Sequence, residues 1–249
     1  MNDKERLYEE LSLNAHPSLQ TQIYDGWILR FANGYTNRAN SINPLYPSTI
    51  DLRTKIAECE KRYFSHGLPS VYKLTDRSDP EIDRSLEQQG YEIVTPTYVM
   101  GMELSDTDFF IGDCVINSRA NDEWLNAYFT FSRYTDSTKM ATARQILESV
   151  KNDMICGRVV KGGEFVACGS AVIERGYMQM LNIVVDEHHR GKGYGEEICV
   201  SLLSEAQRLG AHTAYLQVVQ ENEKAVNLYT KLGYKTIYSY WYRVKKGGS

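Results

Sequence analysis

Arg190-Gly191-Lys192-Gly193-Tyr194-Gly195 stands between two patterned segments. Before it lies Met178-Gln179-Met180-Leu181-Asn182-Ile183-Val184-Val185, a largely apolar run ending in β-branched residues, which reads as a buried strand. After it, Ile198, Cys199, Leu202, Leu203, Ala206 and Leu209 recur at helical spacing and Gly210 supplies a stop. The hexamer is therefore a glycine-rich turn from strand to helix. The first amides of a helix have no intrahelical acceptor and the macrodipole adds partial positive charge, so an anion such as a pyrophosphate is favoured there. Gly193 and Gly195 let backbone approach that anion, while Arg190 and Lys192 supply charge. Taken alone, such a turn also has a plainer reading, glycines placed for turn geometry. The spacing matches neither a Rossmann fingerprint nor a P-loop.

A second signal follows, where Leu216-Gln217-Val218-Val219-Gln220-Glu221-Asn222 leads into Ala225-Val226-Asn227-Leu228-Tyr229-Thr230-Lys231-Leu232-Gly233-Tyr234. This reads as strand, short turn, helix, glycine stop and strand. Asn222 suits the helix N-cap, and Ala225, Leu228, Tyr229 and Leu232 lie on or near one helix face. From this helix alone, Tyr229 is an amphipathic core tyrosine with its hydroxyl at the rim.

In this order and separation the two segments resemble the GNAT superfamily of acetyl-CoA-dependent N-acetyltransferases. Arg190, Gly193 and Gly195 meet its Gln/Arg-x-x-Gly-x-Gly/Ala pattern. Asn222, Ala225, Leu228, Tyr229, Gly233 and Tyr234 meet its second pattern, Asn-x-x-Ala-x-x-Leu-Tyr-x-x-x-Gly-Tyr/Phe. The resemblance covers residues 113–246 and implies an α/β (α+β) acyl-CoA N-acyltransferase fold, a mixed, mostly antiparallel sheet whose two central strands splay in a V. It further implies that the strand carrying Ile183, Val184 and Val185 pairs with the pantetheine arm. The amides from Arg190 through Gly191, Lys192, Gly193 and Tyr194 to Gly195 would hold the pyrophosphate. Asn222 would face the pantetheine or cap its helix, and Tyr229 would lie beside the thioester sulfur.

The implied reaction is direct attack of a neutral amine on the acetyl carbonyl in a ternary complex, with loss of the coenzyme A thiolate. A thiol of pKa about 8.5 and a tyrosine of about 10 suit Tyr229 as the general acid that protonates the departing sulfur. A strand amide near Val185 would stabilise the carbonyl oxygen. Many family members place a glutamate base on the strand ahead of the pyrophosphate loop. Here Gln179 occupies that place. A glutamine orients water but accepts no proton usefully, so base duty passes to a water chain, a backbone carbonyl or another carboxylate. Glu174, Glu221 and Asp136 are eligible by type, and none is singled out.

Composition bounds the alternatives. At 249 residues and 42% hydrophobic content the chain is long enough for two modest domains or one large one. A formal charge of -4 argues against nucleic-acid binding by bulk electrostatics. Five cysteines, odd in number and without Cys-x-x-Cys spacing, favour reduced thiols and a cytoplasmic protein. His188 and His189 are adjacent and lack a ligand cluster, so no metal is expected. No run approaches the ~18 apolar residues of a membrane span, and no apolar signal core follows the N-terminus.

Residues 1–105 hold a further clue when the chain is compared with itself. A shift of 143 residues sets Gly90-Tyr91 on Gly233-Tyr234 and the strand-like Val71-Tyr72-Lys73-Leu74 on the strand containing Tyr215. The same shift puts Leu86 where Tyr229 stands, and Pro47 and Ile50 where Arg190 and Gly193 stand. Residues 1–105 are thus expected to form a degenerate GNAT-like domain without a cofactor site, or an unrelated α/β segment, ahead of a catalytic domain over 113–246. A polar stretch, 106–113, bridges the two. The segment Gly34 to Pro47, rich in Asn, Ser, Thr and Pro, reads as a strand with polar turns; its functional reading gives Arg38 and Asn40 to the acceptor groove or domain interface. In the family the first catalytic-domain helices cover the acceptor, which makes Trp124, Tyr128, Phe129, Tyr134 and Asp136 candidate contacts, and acidic residues such as Glu123 and Asp136 suit a cationic amine.

Two functions of different class follow. One is an N-acetyltransferase acting on a primary amine of a small molecule or peptide, with acetyl-CoA as cosubstrate. The alternative is a non-catalytic acyl-CoA-binding or interaction protein, to which the missing strand glutamate points. Neither acceptor nor oligomeric state is legible.

Overall fold

The computed structural model of the chain describes residues 2–104, 109 and 114–247. In chain order these begin with α1 (Asp3–Ala15), β1 (Gln20–Tyr24), β2 (Trp27–Phe31), β3 (Ile42–Pro44), α2 (Leu52–Ser65), β4 (Ser70–Thr75), α3 (Pro80–Gln88) and β5 (Glu92–Glu103). They continue with β6 (Cys114–Asn117), α4 (Asp122–Phe131), α5 (Ser137–Ser149), β7 (Asp153–Lys161), β8 (Glu164–Glu174) and β9 (Tyr177–Val185). Last come α6 (Tyr194–Arg208), β10 (Thr213–Val219), α7 (Glu223–Lys231) and β11 (Lys235–Lys245). The expected bridge over 106–113 lies, Phe109 apart, outside the described residues, as do Gly248 and Ser249 of the tail.

The chain divides into two compact units: Met1–Tyr98 with Val219–Glu221 and Tyr238–Ser249, and Val99–Val218 with Asn222–Ile237. In the first, strands run β1-β2-β3-β4-β11, with β3 and β4 parallel at Ile42↔Tyr72 and β4 antiparallel to β11 from Ser70↔Lys245 to Thr75↔Tyr240. Its core gathers Trp27, Leu29, Ile42, Ile56, Tyr63 and Tyr72. α1 is fixed by Glu9, almost wholly buried, which accepts from Lys73 Nζ at 2.5 Å and from the Tyr238 hydroxyl at 2.7 Å. A buried carboxylate persists only with such partners. The Gly34 to Pro47 segment forms one 3-10 turn, Asn37–Ala39, and then β3. Asn40 is buried and spends its amide within that loop, accepting from Ala32 N at 2.7 Å and Gly34 N at 3.0 Å and donating to Thr36 O at 2.8 Å. It is therefore scaffold and not an acceptor contact.

In the second unit strands run β5-β10-β9-β8-β7-β6, antiparallel from β6 to β9 and parallel between β9 and β10. The mixed, mostly antiparallel sheet expected from the sequence is present. Gly157 of β7 and Gly169 of β8 are register partners. A Cβ on Gly169 would stand 2.4 Å from Ile183 Cδ1 and 3.1 Å from Leu202 Cδ1, and one on Gly157 would stand 2.7 Å from Ile198 Cδ1. The paired glycines let α6 settle close to the sheet with Ile198 and Leu202 buried.

The two units repeat one series of elements. α3, Pro80–Gln88, and α7, Glu223–Lys231, begin and end 143 residues apart, and their N-caps, Asp79 and Asn222, keep the same offset. At that offset α2 falls within α6, and β4 within β10.

Candidate functional site

β9 is where the sheet of the second unit stops being regular. Its pairing with β10 runs from Tyr177↔Thr213 to Met180↔Leu216, and among the described residues it goes no further. Asn182, Ile183, Val184 and Val185 thus lie beyond the paired region, as the expected splay requires. Against β8, Leu181 faces Ser170 and Val184 faces Cys168, so β9 carries one extra residue in a bulge. Asn182 takes the left-handed conformation there, φ 57°, and donates to Ser170 Oγ at 2.9 Å. Ile183 Cδ1 reaches toward Gly169, and Val185 Cγ2 lies 3.6 Å from the Cβ position of Gly195. Alternation places both beneath α6 and Val184 on the opposite face.

The chain then makes a 3-10 turn, Glu187–His189, capped by Asp186. Asp186 bonds the His189 ring at 2.8 Å, which holds its carboxyl below the usual range. Arg190 is exposed, with Nε 3.4 Å from Val185 O. Gly191, Lys192 and Gly193 are exposed too, and Gly191 and Gly193 have φ of 76° and 86°, which side chains resist. Gly193 is the N-cap of α6 and has no side chain to satisfy the first turn. Its carbonyl accepts from the amides of Glu196 and Glu197. Among the described residues, the amides of Gly191, Lys192, Gly193, Tyr194 and Gly195 meet no acceptor. Five open amides beside Arg190 and Lys192 make a cradle for an oxyanion.

α7 borders this cradle. Leu228 Cδ2 is 3.5 Å from the Cβ position of Gly195, and Lys231 Nζ pairs with Glu196 at 2.6 Å. Asn222 caps α7, accepting from Ala225 N at 3.2 Å, which is one of its two expected roles. Tyr229 is 8% exposed, packs against Tyr234, and its hydroxyl bonds no described residue. Burial, and next the thiol of Cys199, push its phenol pKa far up, so it stays protonated throughout the physiological range. Burial likewise holds the Cys156 thiol at about 12 and raises Cys199, so neither is a nucleophile at neutral pH.

Gln179 is 1% exposed on β9, where its Oε1 accepts from the Tyr215 hydroxyl at 3.1 Å while Nε2 finds no partner among the described residues. Two expected acceptor contacts are core residues instead. Trp124 is wholly buried and its indole N–H is shared between the carbonyls of Gly157 and Gly169, 3.1 Å each, and Phe129 is buried too. Asp136, which caps α5, and Glu123, which pairs with the buried Arg158, are exposed. The apolar spacing of α4 had the shape of a core face, which is what Trp124 and Phe129 turn out to line. Two features escaped the sequence reading. One is the Asn182 bulge, signalled only by an Asn, a residue that tolerates left-handed backbone, inside a strand run. The other is the ion pair between Arg133, after α4, and Glu187, before the cradle, which no local pattern signals. Among the described residues no three His, Cys, Asp or Glu side chains gather as metal ligands, and no helix is long and apolar enough to cross a membrane.

The family model described as "Probable histone acetyltransferase Rv0428c C-terminal" matches residues 4–243. An uncharacterized N-acetyltransferase of Bacillus subtilis strain 168, YobR, is 27% identical over 258 residues, covering 98% of this chain and all of the relative. Among solved structures, a GCN5-related N-acetyltransferase from Kribbella flavida aligns with a TM-score of 0.71 at 15% identity, covering 98% of this chain and 95% of its own. A tandem GNAT protein from the clavulanic acid biosynthesis pathway aligns with a TM-score of 0.64 at 14% identity, covering 79% of this chain and 70% of its own.

Proposed function

Because the chain belongs to the GNAT N-acetyltransferases, in the family of the Rv0428c C-terminal region, we propose that it transfers the acetyl group of acetyl-CoA to a primary amine in a ternary complex. The observation that carries this reading is the row of open amides from Gly191 to Gly195 at the start of α6, beside the parted ends of β9 and β10. Those amides, with Arg190 and Lys192, suit the diphosphate of coenzyme A. The backbone of Ile183, Val184 and Val185, left open on the side of β10, suits the amides of its pantetheine arm. Bound there, acetyl-CoA supplies the activated acyl group.

The remaining steps fall to the chain. An amide near Val185 polarises the carbonyl oxygen. Tyr229 gives the proton of its Oη to the departing sulfur, a role open to it because the hydroxyl is protonated and bonds no described residue. Gln179 accepts no proton usefully and is anchored by Tyr215, so the amine proton leaves through a water chain, a backbone carbonyl or another carboxylate. The degenerate-copy reading of residues 1–105 is supported by the shared offset of α3 and α7, and assigns a single cofactor site to each chain. Five free thiols suit a cytoplasmic protein. The acceptor is a small-molecule or peptide amine; neither a nucleic acid nor a membrane is a partner in this reading.

Gln179 favours a second reading, a non-catalytic acyl-CoA-binding protein. Acetyl-CoA consumption over a panel of primary amines separates the two. Turnover with any amine supports transfer, and tight binding without turnover across the panel supports the second reading.

A further inference from the structure

Ile50 stands 143 residues before Gly193, but its amide is not open. It donates to the carboxylate of Asp25 at 2.9 Å. The same carboxylate accepts from Thr49 N at 2.9 Å, Thr49 Oγ1 at 2.8 Å, Ser48 Oγ at 2.7 Å and Lys55 Nζ at 3.0 Å. Two backbone amides, two hydroxyls and a lysine converge on one anion, a donor set that suits a tetrahedral oxyanion as well as a carboxylate. Lys55 is the decisive member. Its side chain is wholly buried, its Nζ lies 4.2 Å from the centre of the Trp27 ring, and it also bonds Ser48 Oγ and the Asp25 carbonyl. A cation held so far from water requires a fixed counter-charge.

Asp25 is placed there by the hairpin. It sits in the two-residue turn between β1 and β2 at φ 45°, in the left-handed region that Asp tolerates, immediately before Gly26. The Ile50 amide, and after it the Ser48 hydroxyl, depress its carboxyl far below the usual range. Beside it opens a cleft of about 480 Å³ lined by Trp27, Leu45, Ile50, Leu52, Asp79 and Ile82. Leu52 opens α2 and Asp79 caps α3, the elements that repeat as α6 and α7.

We propose that the chain closes its own N-terminal oxyanion seat: Asp25 occupies the position that a phosphate would otherwise take between Ser48, Thr49, Ile50 and Lys55. The seat binds no free phosphate while that carboxylate is present, and takes one when it is removed. This rests on the degenerate-copy reading and explains how the first copy refuses the diphosphate that the second accepts.

The test uses the full chain, saturated with acetyl-CoA to cover the C-terminal cradle, titrated with inorganic phosphate at constant ionic strength. Asp25→Gly suits the positive φ while deleting the carboxylate. The expected result is one more phosphate per chain in Asp25→Gly than in the unsubstituted protein, with a melting temperature that phosphate restores saturably and chloride does not. Adding Lys55→Met to that variant should abolish both effects. Asp25→Asn, which still fills the seat, should melt early and gain nothing from phosphate. Should Asp25→Gly fail to fold in chloride, phosphate should recover it. An equal phosphate count in the two proteins, or melting that ignores phosphate, overturns the proposal. A failure of acetyl-CoA to bind overturns the proposed function instead, and the phosphate difference between the two proteins is counted without it.

Discussion

Tyr229 meets Tyr234 edge to face, with ring centroids 6.0 Å apart and planes at 63°. The contact is made by the rings, and the Tyr229 hydroxyl takes no part in it, so Tyr229→Phe separates proton donation from packing. Turnover is expected to fall roughly 10²-fold or more, with acetyl-CoA affinity and melting temperature unchanged. Steady-state kinetics beside calorimetry checks this, and unaltered turnover removes Tyr229 from the chemistry.

Gly193 combines an open amide with φ 86°. Gly193→Asn tolerates that backbone and adds no charge, whereas Gly193→Asp sets a carboxylate against the diphosphate. Acetyl-CoA affinity should fall about 10-fold further for Asp than for Asn, since like charge opposes binding by a kilocalorie or more. Equal affinities would place the diphosphate elsewhere.

Trp124 closes the space under α4 by bonding two strand carbonyls at once. Trp124→Phe keeps an aromatic ring but strips both bonds and shrinks the buried side chain, so at least about 1–3 kcal/mol of stability should be lost. The KM for the amine should stay put, because the side chain is wholly buried. Urea unfolding and amine kinetics together decide, and a large KM change would return Trp124 to the acceptor site.

His16 is buried, and burial first, then Arg38 and Arg30, depress its pKa well below 6.5. A depressed folded pKa means that the unfolded chain takes up the proton first. The neutral imidazole's contribution is therefore complete above about pH 6.5 and lost as pH falls, at up to about 1.4 kcal/mol per pH unit for one proton. Asp83, held low by Arg243, enters only below about pH 4. Melting curves should decline between pH 6.5 and 4.5 in the unsubstituted protein, and His16→Gln should flatten that decline. On the alkaline side the sign reverses. Burial raises Cys59 to about 11 and Cys156 to about 12, so their contribution holds below about pH 8.5 and fades above it.

The glycine-rich turn into α6 was legible because local chemistry dictates it: glycines at 191 and 193 hold backbone that side chains resist, and helical spacing begins directly after them. Asn222 was legible for the same reason, since an N-cap is set by its own helix. Trp124 was misplaced because its partners, Gly157 and Gly169, lie on strands far along the chain, and an aromatic near a helix start reads equally as core or contact. The Asp25 seat was invisible for a related reason. Its five donors come from a loop and a helix that meet the β1–β2 turn only in the folded chain, and Asp-Gly in sequence announces a hairpin and nothing more. The Arg133–Glu187 pair is likewise a product of folding, joining segments that no periodicity relates.

The most direct test of the central claim is calorimetric titration of the full chain with acetyl-CoA. One site per chain at micromolar affinity, lost in Gly193→Asp, is the expected result. Two sites per chain would contradict the single-site assignment, and no binding would contradict the account of the α6 cradle as the seat of the cosubstrate.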